Sequence, residues 1–453
     1  MPTTSRKKHG ENLYLAAYAR FARDLPGNGR SWIGAMRQEG IERFESLGFP
    51  STRDEAWRYT NVAPIATTPF ALKPEARADA LTPDLFEQLA FEPWECTHLV
   101  FINGRFSPEL SRTRALPRGV EVGSLDEALD SRRELIEPHL GRLAGMEGQA
   151  FTALNAAFLR DGAFIHVPKG VVVDEPVHLL FVSSTNGTAV MSHPRNLIVV
   201  GEGSQVTVLE SYAGLDAGAS FTNVVTEIAA GDGAVVDHTL LQRDGEGAYH
   251  VGTVQARVGR GSSLSSHVIS IGGALIRNDI NVVLDGEGAD CTLNGLYVTH
   301  GTQHVDNHTV IDHARPHGTS RELYKGVLEG RSRGIFDGTV IVRPDAQKTD
   351  ARQVNRNLLL SDDALVDSKP TLLIRADDVK CSHAATIGQL EEDALFYLRS
   401  RGIGSGMARN ILIQAFVSEI LGRIRIEPVR TGLECLLYTR LHDGHRRDTE
   451  VTP

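Results

Sequence analysis

The chain has 453 residues, of which 41% are hydrophobic and 23% charged, and a formal net charge of -10 from 47 basic and 57 acidic side chains. That length exceeds a single compact core and implies two or three domains; the composition excludes disorder over most of it, and the mild acidity argues against non-specific binding to nucleic acid or an anionic membrane. No apolar run approaches the ~20 residues that span a bilayer, and residues 1–10 are basic and polar with no apolar signal core behind them, so the chain reads as cytoplasmic.

Residues 1–150 read as a mostly helical region with some strand. Leu13, Ala17, Phe21 and Leu25 recur at helical spacing, as do Trp32, Met36, Ile41 and Phe44 with one irregularity, and residues 48–51 stop the second helix. Residues 99–106 form a strand that meets a turn at Asn103-Gly104, and residues 134–158 return to a helical pattern.

Residues 151–376 differ. They are rich in Val, Ile, Gly and Asp, in short alternating runs, and they repeat. Gly201-Glu202-Gly203-Ser204, Gly231-Asp232-Gly233-Ala234, Gly259-Arg260-Gly261-Ser262 and Gly286-Glu287-Gly288-Ala289 start 30, 28 and 27 residues apart, each between two strand-like runs. Such a period predicts a parallel β-helix whose units bury their apolar faces by stacking, with glycine at the corners that need positive φ. The pattern blurs after residue 290.

Residues 377–453 are helical again. Residues 391–401 begin acidic, end basic and stop at Gly402, as a helix dipole prefers. Ile413, Phe416, Val417, Ile420, Leu421 and Ile424 then make one apolar stripe, which covers the end of the solenoid or docks a partner helix. From about His442 the chain is charged and reads as frayed.

The chemistry is sparse. There is no GxxxxGK[ST] phosphate loop, no GxSxG, and the Gly-x-Gly pieces do not open helices, so no catalytic residues are assigned. Cys96, Cys291, Cys381 and Cys435 lie far apart, which argues against disulfides or a self-contained four-cysteine site. His300, His304, His308, His313 and His317 invite a metal reading, but their segment is poor helix material, and turn and ladder histidines fit it better. Asp306, Asp312, Asp337 and Asp345 would line a groove if the solenoid were a polysaccharide-acting enzyme, and serve as turn or solvated residues otherwise. Trp57-Arg58-Tyr59 is a packing or cation–π cluster. In Cys381-Ser382-His383 an extended backbone points thiol and imidazole the same way. Such a pair suits soft or borderline metals including cluster iron, Lys380 and His383 would lower the thiol pKa, and spacing alone leaves a structural cysteine the better reading.

Residues 377–388, with Asp377-Asp378-Val379-Lys380-Cys381-Ser382-His383, and residues 395–403 resemble the SufD family. So do residues 55–60 (Glu-Ala-Trp-Arg-Tyr-Thr), residues 153–158 with Asp161-Gly162, Pro194-Arg195-Asn196-Leu197, residues 316–320 and Tyr324-Lys325-Gly326; the match runs from about residue 30 to 425. Ala384 stands where the family more often has glycine. The paralogous SufB family lacks the Cys-Ser-His of this segment. The resemblance implies a right-handed parallel β-helix core between an N-terminal α/β region and a C-terminal helical region, acting as a non-catalytic scaffold in iron–sulfur cluster assembly. It implies pairing with a SufB-like protein and docking of a SufC-like ATPase through residues 391–424; whether the chain alone forms a homodimer is left open by the sequence, exposed strand edges being able to self-pair. It further implies a transient iron–sulfur cluster at the SufB–SufD interface, with Cys381 and His383 as this chain's ligands and no cluster held by this chain alone. A SufB-like scaffold and a β-helical polysaccharide enzyme are the competing readings.

Overall fold

The chain's middle coils because one residue per repeat takes a left-handed backbone. At Gly203, Gly233, Gly261 and Gly288 φ is 65°, 66°, 60° and 68°, a region that costs a side-chain-bearing residue about 1–2 kcal/mol. Each donates its N–H to a carbonyl in the corner of the next turn: Gly203 to Asp232, Gly233 to Arg260, Gly261 to Glu287 and Gly288 to Pro316. The same corner continues without glycine, for His317 (φ 59°) donates to Gln347 and Lys348 (φ 63°) to Asp378. The repeat therefore does not end near residue 290; only its glycine does.

The structure, a computed structural model, describes residues 3–25, 31–72, 81–91 and 94–449. It is a parallel β-solenoid of about 8 turns with helices at both termini. Successive strands alternate between two long sheets, one ending in Asp350–Leu359 and Lys380–Gly388, the other in Arg333–Val342 and Leu365–Ile374. Gln205, Val235, Ser263, Asp290, Thr319, Asp350 and Lys380 are in register across the first sheet. Alternate residues point inward, and Val206, Val236, Leu264, Ile228, Val254 and Ile280 belong to one core between the sheets.

Pairing turns antiparallel only at the N-terminal end, among the described residues. Arg105–Phe106 folds back on Thr97–Ile102 through Asn103-Gly104, both at positive φ, and Glu121–Ser124 pairs antiparallel with Ala163–Val167. The helices Thr3–Asp24 and Ser31–Leu47 match their sequence pattern, and the second packs on the buried helix Ala150–Ala157. The helix expected over residues 134–158 is broken. Between Arg133–Ile136 and Ala150–Ala157 the chain turns at Gly141 and Gly148, both at positive φ, and the buried Glu227 carboxylate accepts the N–H groups of Gly141, Leu143 and Ala144.

The C-terminal helices are Glu392–Ser400, Ser405–Leu421 and Glu427–Thr449. The predicted stripe is buried, but it covers the flank of the solenoid and not its end. Ile413, Val417, Ile420, Leu421 and Ile424 pack on Leu241, Ile269, Leu296 and Leu323, outward residues of the first sheet. Lys325 fixes the contact, donating to the Phe416 carbonyl at 2.9 Å and lying 2.5 Å from Glu419. The solenoid runs to Gly388, so the boundary read at 376/377 falls inside its last turn; within the polar, glycine-poor run 377–388, Lys380–Gly388 is strand because it pairs residue for residue with the preceding strand, from Asp350 to Leu358. The last helix also continues through the segment read as frayed from His442, and residues 450–453 lie outside the described residues.

Candidate functional site

Because side chains alternate along a strand, every inward position of the first sheet belongs to a column that climbs the solenoid. One column runs Val206, Val236, Leu264, Cys291, Ser320, Ala351 and ends at Cys381. The neighbouring column runs Val208, His238, Ser266, Leu293, Glu322, Gln353 and ends at His383. The two candidate ligands thus stand side by side at the last rung, facing the solenoid axis where no further turn covers them. His383 is exposed and Cys381 half-buried.

The Cys381 thiol is not activated as its neighbours in sequence implied. Burial pushes its pKa up, the Ala351 N–H pulls it down, and Asp350 pushes it up again, with a net rise. Cys381 points into a small apolar group with Ala351, Val342 and Ala376, while Lys380 alternates to the opposite face of the strand. A metal or a partner's positive charge would have to draw off the proton.

The column beneath His383 was not singled out from sequence. Gln353 Nε2 donates to Glu322 Oε2 at 2.7 Å, both fully buried, and burial raises the Glu322 pKa to about 7 against weaker opposing hydrogen bonds from Thr309 and Gln353. The available signal was a glutamate and a glutamine at inward positions of consecutive turns, visible only once the register past residue 290 is known.

The histidine-rich segment disperses. His304 hydrogen-bonds to Thr60 at 2.9 Å, His308 lies 3.0 Å from Asp306, His313 pairs with Ser320 at 2.9 Å, and His317 turns the corner. Among the described residues no three His, Cys, Asp or Glu side chains group as a metal site. The carboxylates do not converge on a groove: Asp306 is tied to Arg277, Asp312 to Arg343 and Asp337 to Lys369. All four cysteines are free.

The motifs at residues 55–60 and 153–158 join the N-terminal region to the solenoid. Arg277 donates to the Ala56 carbonyl and to Asp306, and its guanidinium lies 4.2 Å from the Trp57 ring. Thr60 donates to Asp306 as well. Arg195 is wholly buried and donates to Glu227 and Asn155. In Tyr324-Lys325-Gly326, a Cβ at Gly326 would lie 2.4 Å from the Tyr297 ring, so only glycine fits.

A family model described as SUF system FeS cluster assembly, SufBD core domain, matches residues 181–416, and one described as SufBD protein N-terminal region matches residues 8–179. The chain is 35% identical to an iron–sulfur cluster assembly SufBD family protein of Synechocystis over 90% of this chain and 91% of the relative. It is 28% identical to the iron–sulfur cluster assembly protein SufD of Escherichia coli (90% and 93% covered) and 29% identical to SufD of Bacillus subtilis (91% and 94%). Among the described residues no helix is long and apolar enough to cross a membrane.

Proposed function

This chain belongs to the SufBD family of SUF-system iron–sulfur cluster assembly proteins, and from that premise we propose that it is a non-catalytic, SufD-type scaffold whose open solenoid end pairs with a SufB-like subunit. The observation that carries this reading is the uncovered last turn. Lys380–Gly388 and Leu365–Ile374 each end their sheet with an unpaired edge, and Leu365, Leu373, Ile374 and Ile387 are exposed there. An exposed apolar strand edge is a template for another strand. A β-solenoid partner presenting the same kind of edge would extend both sheets and bury the four apolar side chains.

The cluster is cargo in this scheme. Cys381 and His383 supply two donors at the rim of the interface, and a cluster needs more, so the remaining ligands come from the partner. ATP hydrolysis belongs to a separate SufC-like subunit, docked on the face of the C-terminal helices that the solenoid leaves free. The sequence carries no phosphate loop and no GxSxG motif, and the carboxylates Asp306 and Asp312, which would line an enzyme's groove, are engaged within the solenoid.

The test is co-expression with SufB-like and SufC-like proteins, followed by tagged purification and anaerobic reconstitution. Expected is a ternary complex in which Cys381→Ser with His383→Ala leaves assembly intact and lowers cluster absorbance several-fold. Full cluster yield in the double variant would remove both ligands from the scheme, and no co-purification with either subunit would remove the scaffold reading.

A further inference from the structure

A cavity of about 500 Å³ lies where the first helix and the Asn103-Gly104 turn meet the beginning of the solenoid, within the size range of small-molecule sites. His193 forms part of its lining. This side chain is 95% buried (5% exposed) and stacks on Phe158 with centroids 4.8 Å apart. The hydrogen bonds fix its tautomer. Asn223 Nδ2 donates to the Phe151 carbonyl at 2.9 Å, and the same nitrogen faces His193 Nδ1 at 3.2 Å, so Nδ1 accepts. Burial holds the ring's pKa down at about 3. The neutral ring therefore carries its proton on Nε2, and this N–H finds no acceptor among the described residues.

Two guanidinium groups share the cavity, and one of them has the same deficit at one nitrogen. Arg105 Nη1 is buried without a hydrogen bond and lies 3.9 Å from Asp161, while Nη2 of the same group donates to Asp126 at 3.4 Å. Asp161 is already occupied by the Phe106 and Gly162 N–H groups and the Ser124 hydroxyl. Arg160 makes no hydrogen bond or ion pair with the described residues; burial first, and then the like charge of Arg105, lower its pKa, against the opposing pull of Asp126, Asp161 and Asp24. Asp24 and Arg20 complete the charged lining, both exposed. Asn103 and Ser192 also line it, and Phe21, Phe70 and Met191 supply an apolar wall. Unpaired buried donors each cost about 1–3 kcal/mol, and here two of them, His193 Nε2 and Arg105 Nη1, share a cavity with an apolar wall and the half-buried Arg160.

We infer that this cavity binds a small organic oxyanion, a carboxylate or phosphate monoester on a compact apolar body, with its head held by His193 Nε2–H, Arg105 and Arg160. An acceptor-only head satisfies all three donors at once, and the apolar body takes the Phe21 and Phe70 wall. The site is remote from the last turn that carries Cys381, and it stands whether or not the scaffold reading holds.

The experiment is calorimetric titration of the full chain with octanoate, octyl phosphate and 1-octanol. Saturable binding of at least one anion and none of the alcohol is expected, and the preferred anion identifies the head group. Arg160→Gln, at a half-buried side chain with no internal partner, should weaken binding about tenfold without altering the melting temperature. His193→Phe keeps the ring stack and removes the donor, with a similar loss of affinity. Absence of binding by both anions, equal binding of octanol, or wild-type affinity in Arg160→Gln would overturn the inference.

Discussion

Glu210 and Glu322 both face the interior of the solenoid, fully buried, and their carboxyls shift in opposite directions. Burial pushes Glu210 up, but His238, Tyr212 and Thr226 surround it and hold it below the usual carboxylate range. Burial likewise pushes Glu322 up, and with no cation beside it and only Thr309 and Gln353 in opposition its pKa stays at about 7. The folded state therefore holds the Glu322 proton more tightly than the unfolded chain does. Its ionisation subtracts nothing below about pH 4.5, an increasing amount as pH rises from there to about 7, and up to about 3 kcal/mol above that. Glu322→Gln should match wild type in urea unfolding at about pH 4.5 and exceed it by up to about 3 kcal/mol at about pH 8. Equal stability at both pH values would mean that the carboxyl titrates as in the unfolded chain. Such pairs are poorly legible in sequence: alternation marks Glu210 and Glu322 as inward, yet whether each is ionised depends on donors from strands 16 and 31 residues away.

At the scale of elements, the solenoid was legible wherever glycine marked its corner. It faded where His317 and Lys348 take the same left-handed backbone, because a hydrogen-bonded corner between two packed turns imposes a conformation that these residues do not prefer. The apolar stripe from Ile413 to Ile424 was equally legible, but periodicity says that a face is buried, not against what; its partner, the outward Leu241–Ile269–Leu296 row, is assembled from turns 27 and 28 residues apart. This assignment divides the C-terminal helices by role. Ile420 is fully buried on the solenoid, whereas Phe396 and Tyr397 of Glu392–Ser400 are 73% and 58% exposed. Ile420→Ala should cost about 2–4 kcal/mol of stability as a cavity-forming change. Phe396→Ala with Tyr397→Ala should leave the unfolding midpoint unchanged and abolish co-elution with the SufC-like ATPase. Retention of the ATPase by that double variant would move its docking site off this helix.

For the whole molecule, the two ends of the solenoid are not equivalent. A stacked-repeat protein needs its terminal turns closed, and at the start they are: the antiparallel strands Arg105–Phe106 and Glu121–Ser124 stop parallel pairing, and Phe106, Val120 and Val122 pack on the core. At the finish the chain leaves Lys380–Gly388 for helices that lie along the flank, so both edges and the apolar rim stay open. The edge strand Leu365–Ile374 carries Asp367, Lys369 and Pro370, residues of the kind that guard such edges, yet Leu365, Leu373, Ile374 and Ile387 stay exposed on the rim. Leu373→Lys with Ile387→Lys extends that protection across the apolar part of the rim. Because both side chains are about half exposed (46% and 47%), the monomer should lose no more than about 1 kcal/mol, while pairing with the SufB-like subunit, and any homodimer of the chain alone, should disappear in size-exclusion chromatography with light scattering. If the doubly charged variant still pairs, the rim is not the interface, and Cys381 and His383 would then face solvent with no second ligand set to complete a cluster.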